Sequence, residues 1–310
     1  MNAVVFHGAF DVRVEQCPVP TIKVDTDAIV QVTTAGLCGS ELHMYRGIQK
    51  TKTGHIMGHE FVGFVKETGS AVKNFKPGDR VVSTFAAVCM KCWNCIHGNT
   101  NRCANSLAFG TQQLNGGQAE FVRVPLADGT MLPAPEELPD NLLILMSDIF
   151  PTGYYGASRA VQFFTDQSAR NESSRGNGEE IGRFDYKSQA LEDTVFVCLG
   201  CGPVGLCALM TAISKGVKMI YAVDSVDERL QVAAKIGAIP LKLGRDDVKE
   251  TVLKVTDGRG ADAVIELVGN PKALQSAFEL LRTCGYLSSI GFHQEPLPFT
   301  GLDCYSKNLK

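Results

Sequence analysis

Thr194-Val195-Phe196-Val197-Cys198-Leu199-Gly200-Cys201-Gly202-Pro203-Val204-Gly205 runs from an apolar stretch straight into a G-x-G-x-x-G turn. The residues that follow, Gly205 to Lys215, read GLCALMTAISK and predict a helix. A lone G-x-G-x-x-G is weak, but one that closes a strand and opens a helix has the context of a dinucleotide-binding βαβ unit. Gly200 permits a tight turn, Gly202 lets a pyrophosphate approach the backbone, and Gly205 lets helix and strand pack closely. Pro203 and Val204 start a helix whose free N–H groups and partial positive charge face the phosphates. The next apolar run, Met219 to Val223, ends at Asp224, 19 residues past Gly205. A carboxylate there accepts from both adenosine ribose hydroxyls and repels a 2′-phosphate, which argues for NAD over NADP.

The same rhythm extends to either side of this stretch. Apolar runs at Thr194–Leu199, Met219–Val223, Ala263–Val268 and Tyr286–Gly291 alternate with helical segments at Gly205–Lys215, Glu228–Ile236, Asp247–Val255 and Lys272–Arg282. That alternation predicts a parallel sheet with helices on its faces. The first ~145 residues differ. Short β-branched runs at Ala28–Val32, Phe61–Val65 and Arg80–Ser83 alternate there with Gly, Pro and Asp turns, which predicts a β-rich domain. Thr165–Asp193 fits neither pattern. It is polar, charged and contains Gly and Ser, and it is expected to form a disordered or surface insertion.

Composition excludes several classes of function. The chain has 310 residues, 45% hydrophobic and 20% charged, enough for about two domains with ordinary cores. A net charge of −3 without a basic run leaves no footprint for nucleic acid. No stretch approaches the ~18 consecutive apolar residues of a membrane span. MNAVVFHGAF has neither the charged nor the long apolar region of a secretory signal, so a reducing, cytoplasmic location is expected for this chain with 11 cysteines.

Four of those cysteines, Cys89, Cys92, Cys95 and Cys103, form C-x-x-C-x-x-C-x7-C. The short gaps let the sulfurs converge on one ion, and a closed set of four thiolates is a structural zinc site. The residues between them are mostly polar turn material. Upstream stand Leu37-Cys38-Gly39-Ser40-Glu41-Leu42-His43 and Gly58-His59-Glu60-Phe61-Val62-Gly63. Taken singly, Cys38 or His59 is more often a packed core residue than a ligand.

Together, the cysteine lobe, the two upstream motifs and the nucleotide turn resemble the zinc-dependent medium-chain dehydrogenase family, the alcohol dehydrogenase superfamily. The resemblance covers the chain apart from the polar insertion. It implies a GroES-like β-barrel catalytic domain over residues 1–147, with the zinc lobe at 89–103, followed by a Rossmann domain over 148–310. It also implies two zinc ions per chain, NAD, a small alcohol or aldehyde as substrate, and a dimer or tetramer. Cys38 and His59 match the first two ligands of the catalytic zinc. Glu41 stands where the family usually has the Asp that hydrogen-bonds the ligand histidine. Ser40 and His43 match the proton relay, Glu60 can lie beside the metal, and Phe85 matches a wall of the substrate pocket. Asp148 occupies the third-ligand position, where many members carry cysteine; an aspartate there is similar to the formaldehyde dehydrogenase branch. Thr152 matches a threonine packed on the nicotinamide, and Arg229 a basic residue near the adenosine ribose.

The resemblance sets two further expectations. Leu297–Ser306 resembles the dimer-forming strand of the family, and a final sheet strand with a segment returning to the catalytic domain is not found before Lys310. A non-catalytic zinc- and nucleotide-binding remnant therefore shares every motif with the enzyme. A sorbitol- or threonine-type polyol dehydrogenase is a further alternative, in which the third ligand is more often Glu.

Overall fold

The computed structural model describes residues 1–176 and 189–310. Those residues divide into two units, Met1–Ile149 and Phe150–Lys310.

Strand content dominates the first unit because its apolar residues recur at short, turn-bounded intervals. Its strands are β1 (Asn2–Gly8), β2 (Asp11–Gln16), β3 (Ala28–Ala35), β4 (His55–Ile56), β5 (Phe61–Thr68), β6 (Arg80–Ser83), β7 (Phe121–Val124) and β8 (Met131–Pro133). All pair antiparallel, in a sheet ordered β2-β1-β4 and a second ordered β7-β3-β5-β6-β8. Val30, Phe61, Val65, Val81, Phe109 and Val122 form the core of the larger sheet. Phe61 meets Phe109 edge-on, centroids 5.1 Å apart, a geometry that suits the quadrupoles of both rings. Phe61 thereby anchors the strand that begins directly after His59 and Glu60.

Strands β9 (Val195–Leu199), β10 (Met219–Asp224), β11 (Ile239–Lys242), β12 (Ala261–Glu266) and β13 (Leu281–Ser289) build the second unit. They form one parallel sheet in the order β11-β10-β9-β12-β13. Strands β9 and β12 are buried at every position, as expected where helices cover both faces of a parallel sheet. Chain order reverses between β9 and β12, so the carboxyl ends of those strands frame the crevice in which such sheets bind ligands. Local chemistry sets the helix ends. Asp247 and Asn270 cap their helices by accepting from the N–H groups of Glu250 and Ala273. Pro203 and Pro271 begin helices where a missing N–H costs nothing.

Three features depart from expectation. Strand β11 is not foreseen: Ile239-Pro240-Leu241-Lys242 is short, carries a proline, and survives because it lies at the sheet edge. The helix Ile149–Gly176 takes in the first twelve residues of the expected polar insertion. Ala157, Ala160, Val161 and Phe164 bury its earlier turns in the core, and an anchored helix elongates at little further cost. Residues 177–188 of that insertion lie outside the described residues, and its end forms a 3-10 turn, Leu191–Asp193. Finally, the expected strand at Leu297–Ser306 is largely the helix Gly301–Lys307, started by a reciprocal cap between Thr300 and Asp303. Among the described residues, no helix is long and apolar enough to cross a membrane.

One buried ion pair ties the parallel sheet together. Asp262 is fully buried, accepts from the Val195 N–H at 2.8 Å and pairs with Arg282 Nε at 2.6 Å. Asp262→Ala is expected to cost about 3–5 kcal/mol, because Arg282 would keep its charge and lose its counter-ion. Urea unfolding of the full chain measures this, and a loss below about 1 kcal/mol would overturn it.

Candidate metal centre and nucleotide site

Cys38 immediately precedes the helix Gly39–Tyr45, and His59-Glu60 immediately precede β5. The antiparallel pairing of β3 with β5, Ala35 opposite Phe61, brings these two segments side by side. Asp148 joins them just ahead of the helix Ile149–Gly176. One donor atom from each of Cys38, His59, Glu60 and Asp148 lies within 4.8 Å of the others. His59 turns Nε2 toward Asp148, 3.5 Å from Oδ2, and Nδ1 toward Glu41, 3.5 Å from Oε1. Tetrahedral zinc with bonds of ~2.0–2.3 Å separates its ligands by about 3.3–3.8 Å.

The electrostatics of this cluster ask for a cation. Both carboxylate oxygens of Glu60 are buried without a hydrogen-bond partner, and burial pushes its carboxyl up to about 7. Burial works to lower His59, yet bonds to Asp148 and Cys38 and the charge of Glu41 carry it up to about 11. Three carboxyl groups and a thiol thus crowd one imidazole. Nitrogen, sulfur and oxygen donors with two neutralising charges, Cys38 thiolate and Asp148 carboxylate, fit Zn²⁺.

Glu41 organises the donor cluster without belonging to it. It is 1% exposed, accepts from the Cys38 N–H at 2.9 Å, and faces His59 on its far side. Gln118 closes the arrangement. Its side-chain amide donates to Glu41 Oε2 at 3.2 Å and to the Gly36 carbonyl at 3.1 Å. The sequence reading missed Gln118 because its residue type is no metal ligand. The available signal was the adjacent pair Gly116-Gly117, which marks a close backbone approach. Ser40 and His43 lie on the helix that follows Cys38, both half-buried, with Nδ1 of His43 buried and without a hydrogen-bond partner. Phe85 is partly exposed at 38%.

The second cluster is the cysteine lobe, where four sulfurs also lie within 4.8 Å of one another. Cys89 and Cys103 approach to 3.4 Å and Cys92 and Cys95 to 3.5 Å. Backbone N–H groups aim at the sulfurs: Lys91 and Cys92 at Cys89, Ala104 at Cys92, Cys89 and Asn105 at Cys103. Such donors favour thiolates at Cys89 and Cys92, whereas burial pushes the Cys95 thiol up to about 12. The Asn105 side chain and the Lys91 N–H bring Cys89 down to about 6. The four-sulfur donor set fits a closed structural zinc site, and none of the cysteines is in a disulfide.

In the second unit the nucleotide residues assemble around one carboxylate. Asp224, nearly buried, accepts from the Cys201 N–H at 2.7 Å and from the Val226 N–H at 2.9 Å. It thereby holds the Gly200-Cys201-Gly202 turn against the end of β10, with Arg229 Nη1 3.5 Å away. A Cβ on Gly205 would sit 1.9 Å from the Gly200 carbonyl, so only glycine closes this turn. Pro203 and Val204 form the first helical residues above it. Thr152 lies in the first turn of its helix, half-buried. Burial raises Cys198 and Cys207, and pushes Cys201 up to about 12, so these thiols stay neutral.

The comparisons with known proteins agree with this geometry. The alcohol dehydrogenase GroES-like domain matches residues 24–136, and the zinc-binding dehydrogenase domain matches residues 203–310. Zinc-type alcohol dehydrogenase B of Aspergillus flavus is 45% identical over all of this chain and 68% of its own length. The medium chain reductase/dehydrogenase ucsI of an Acremonium species is 45% identical over 98% of both proteins. Alcohol dehydrogenase TADH from Thermus sp. ATN1 superposes with a TM-score of 0.83 at 31% identity, over 100% of this chain and 83% of that one. The β-rich unit is accordingly GroES-like and the parallel-sheet unit Rossmann-like, and by descent as well as by donor chemistry the chain belongs to the zinc-type alcohol dehydrogenase family of medium-chain oxidoreductases.

Proposed function

We propose that the protein transfers a hydride between a small alcohol or aldehyde hydrate and NAD, with one catalytic and one structural zinc per chain. The convergence of Cys38, His59, Glu60 and Asp148 carries this reading. Cys38, His59 and Asp148 would hold the catalytic ion, and Cys89, Cys92, Cys95 and Cys103 the structural one. When bound, zinc supplies a Lewis acid for the substrate oxygen and NAD supplies the hydride acceptor.

The remaining work falls to side chains of the protein. Glu41 fixes the tautomer and tilt of His59 by facing Nδ1, which leaves Nε2 for the metal. Ser40 and His43, following Cys38 on one short helix, would carry the proton of the substrate hydroxyl away from the centre. Glu60, raised to about 7 by burial, can hold a proton at neutral pH beside the donors. Thr152 would pack on the nicotinamide. The turn at Gly200 and Gly202 and the helix N-terminus at Pro203 would receive the pyrophosphate, with Asp224 and Arg229 at the adenosine ribose. A carboxylate at position 148 donates less charge than a thiolate would, which favours a more electrophilic centre and suits a hydrated aldehyde. Eleven cysteines without a disulfide fit a reducing, cytoplasmic setting.

Metal analysis beside a substrate panel tests this. The wild-type chain should carry two zincs and reduce NAD with short alcohols and aldehydes, whereas Asp148→Ala should keep one zinc and lose turnover. Oxidation restricted to long-chain or secondary alcohols would sink the assignment to small aldehydes, and a single zinc in the wild type would sink the centre itself. Coenzyme choice is tested at Asp224. Asp224→Ala should weaken both coenzymes, since the Cys201 N–H loses its acceptor. The NAD-to-NADP ratio of kcat/KM should fall about tenfold or more, equivalent to about 1.4 kcal/mol of discrimination. An unchanged ratio contradicts the role of Asp224.

A further inference from the structure

We infer that Gln118 is a positioning residue of the Cys38–His59–Asp148 centre: its amide ties Glu41 to the backbone segment that presents Cys38, while its main-chain N–H holds the segment before His59. The inference rests on reading that cluster as a metal centre. Both amide hydrogens of Gln118 are used: one on Glu41 Oε2 at 3.2 Å, one on the carbonyl of Gly36, two residues before Cys38, at 3.1 Å. The partners fix the orientation of the amide, because a flipped side chain would set its oxygen against a carboxylate and a carbonyl. Glu41 Oε2 also accepts from the Cys38 N–H, and Oε1 faces His59 Nδ1. Gln118 therefore reaches the metal donors through a single intervening side chain.

The backbone around Gln118 is built to hold this contact. Its N–H donates to the Met57 carbonyl at 2.9 Å, and its own carbonyl accepts from Val4 at 2.8 Å. Gly58, with φ +96°, leaves the space that Gln118 fills: a Cβ there would lie 2.5 Å from Gln118 Cγ and 2.6 Å from its nitrogen. The residue directly before His59 thus gives up its side chain so that Gln118 can pass toward Glu41. Leucine or methionine at 118 would fill much the same volume and donate nothing. Glu41 would then keep its grip on Cys38 but lose a side-chain restraint on where its carboxylate points.

Zinc release to a chromophoric chelator separates this role from a structural one, since the cysteine lobe of the same chain serves as internal control. Gln118→Leu, with Gln118→Met as the second variant, is expected to release zinc from the Cys38 centre about 10–100-fold faster. Release from the lobe and the thermal midpoint should stay at wild-type values. Cobalt placed at the Cys38 centre should show shifted ligand-field bands in both variants. In a Glu41→Gln background, Gln118→Leu should add less than about twofold, because coupled partners are not additive. Wild-type release rates in both variants, equal acceleration at both metal sites, or a full additional effect in the Glu41→Gln background would each overturn the inference while leaving the metal centre intact. A wild-type chain that retains only the zinc of the lobe would remove the centre and the role of Gln118 with it.

Discussion

A carboxylate almost closed off from solvent holds the donor cluster of the first unit together. Glu41 is 1% exposed, yet its two oxygens meet the Cys38 backbone, the Gln118 amide and the His59 ring. Burying a charge is costly unless each lone pair finds a donor. The donors on Oε2 fix Glu41 against Cys38 and Gln118, and Oε1 is left buried, without a hydrogen-bond partner, facing the His59 ring. Aspartate is usual here in the family that the chain resembles. Glutamate adds one methylene, and the reach of Gln118 across the glycine at position 58 belongs to the same arrangement.

The nucleotide half solves a parallel problem with the same chemical device. Asp224 is nearly buried and takes two backbone N–H groups, one from the glycine-rich turn and one from the chain beyond its strand. Asp262 takes one backbone N–H, that of Val195 at the start of the central strand, beside the Arg282 side chain, and Glu266 at the end of the adjacent strand takes two, from Val268 and Gly269, and pairs with His293. In each case a carboxylate collects loop donors that would otherwise be orphaned at a strand terminus. Loops held this way are rigid before any ligand arrives, which favours binding by lowering the ordering cost.

How much of this could be read from the residues depended on how local each signal was. The cysteine lobe was legible because its spacing is itself the geometry. The Rossmann turn was legible because strand, glycines and helix are contiguous from Thr194 to Lys215. Asp148 was a candidate only through resemblance, since nothing in its immediate neighbours marks it as a donor. Gln118 stayed invisible because its partners lie 77 and 82 residues away in sequence. The strand Ile239–Lys242 carries a proline and two exposed residues, and only its place at a sheet edge makes it a strand. The helix Gly301–Lys307 was misread because a likeness to a strand outweighed its own Thr300–Asp303 cap.

The two donor clusters differ in how far apart their residues stand along the chain, and this orders their assembly. The lobe closes a loop of 14 residues from Cys89 to Cys103, whereas Cys38 and Asp148 enclose 110. Loop-closure entropy makes the wider ring harder to form by about 2 kcal/mol before any packing contributes. The four lobe sulfurs can gather as soon as that short run of chain is ordered. The wider set of donors cannot meet until β3 has paired with β5. The near cluster thus accompanies folding, while the far one reports that folding has finished.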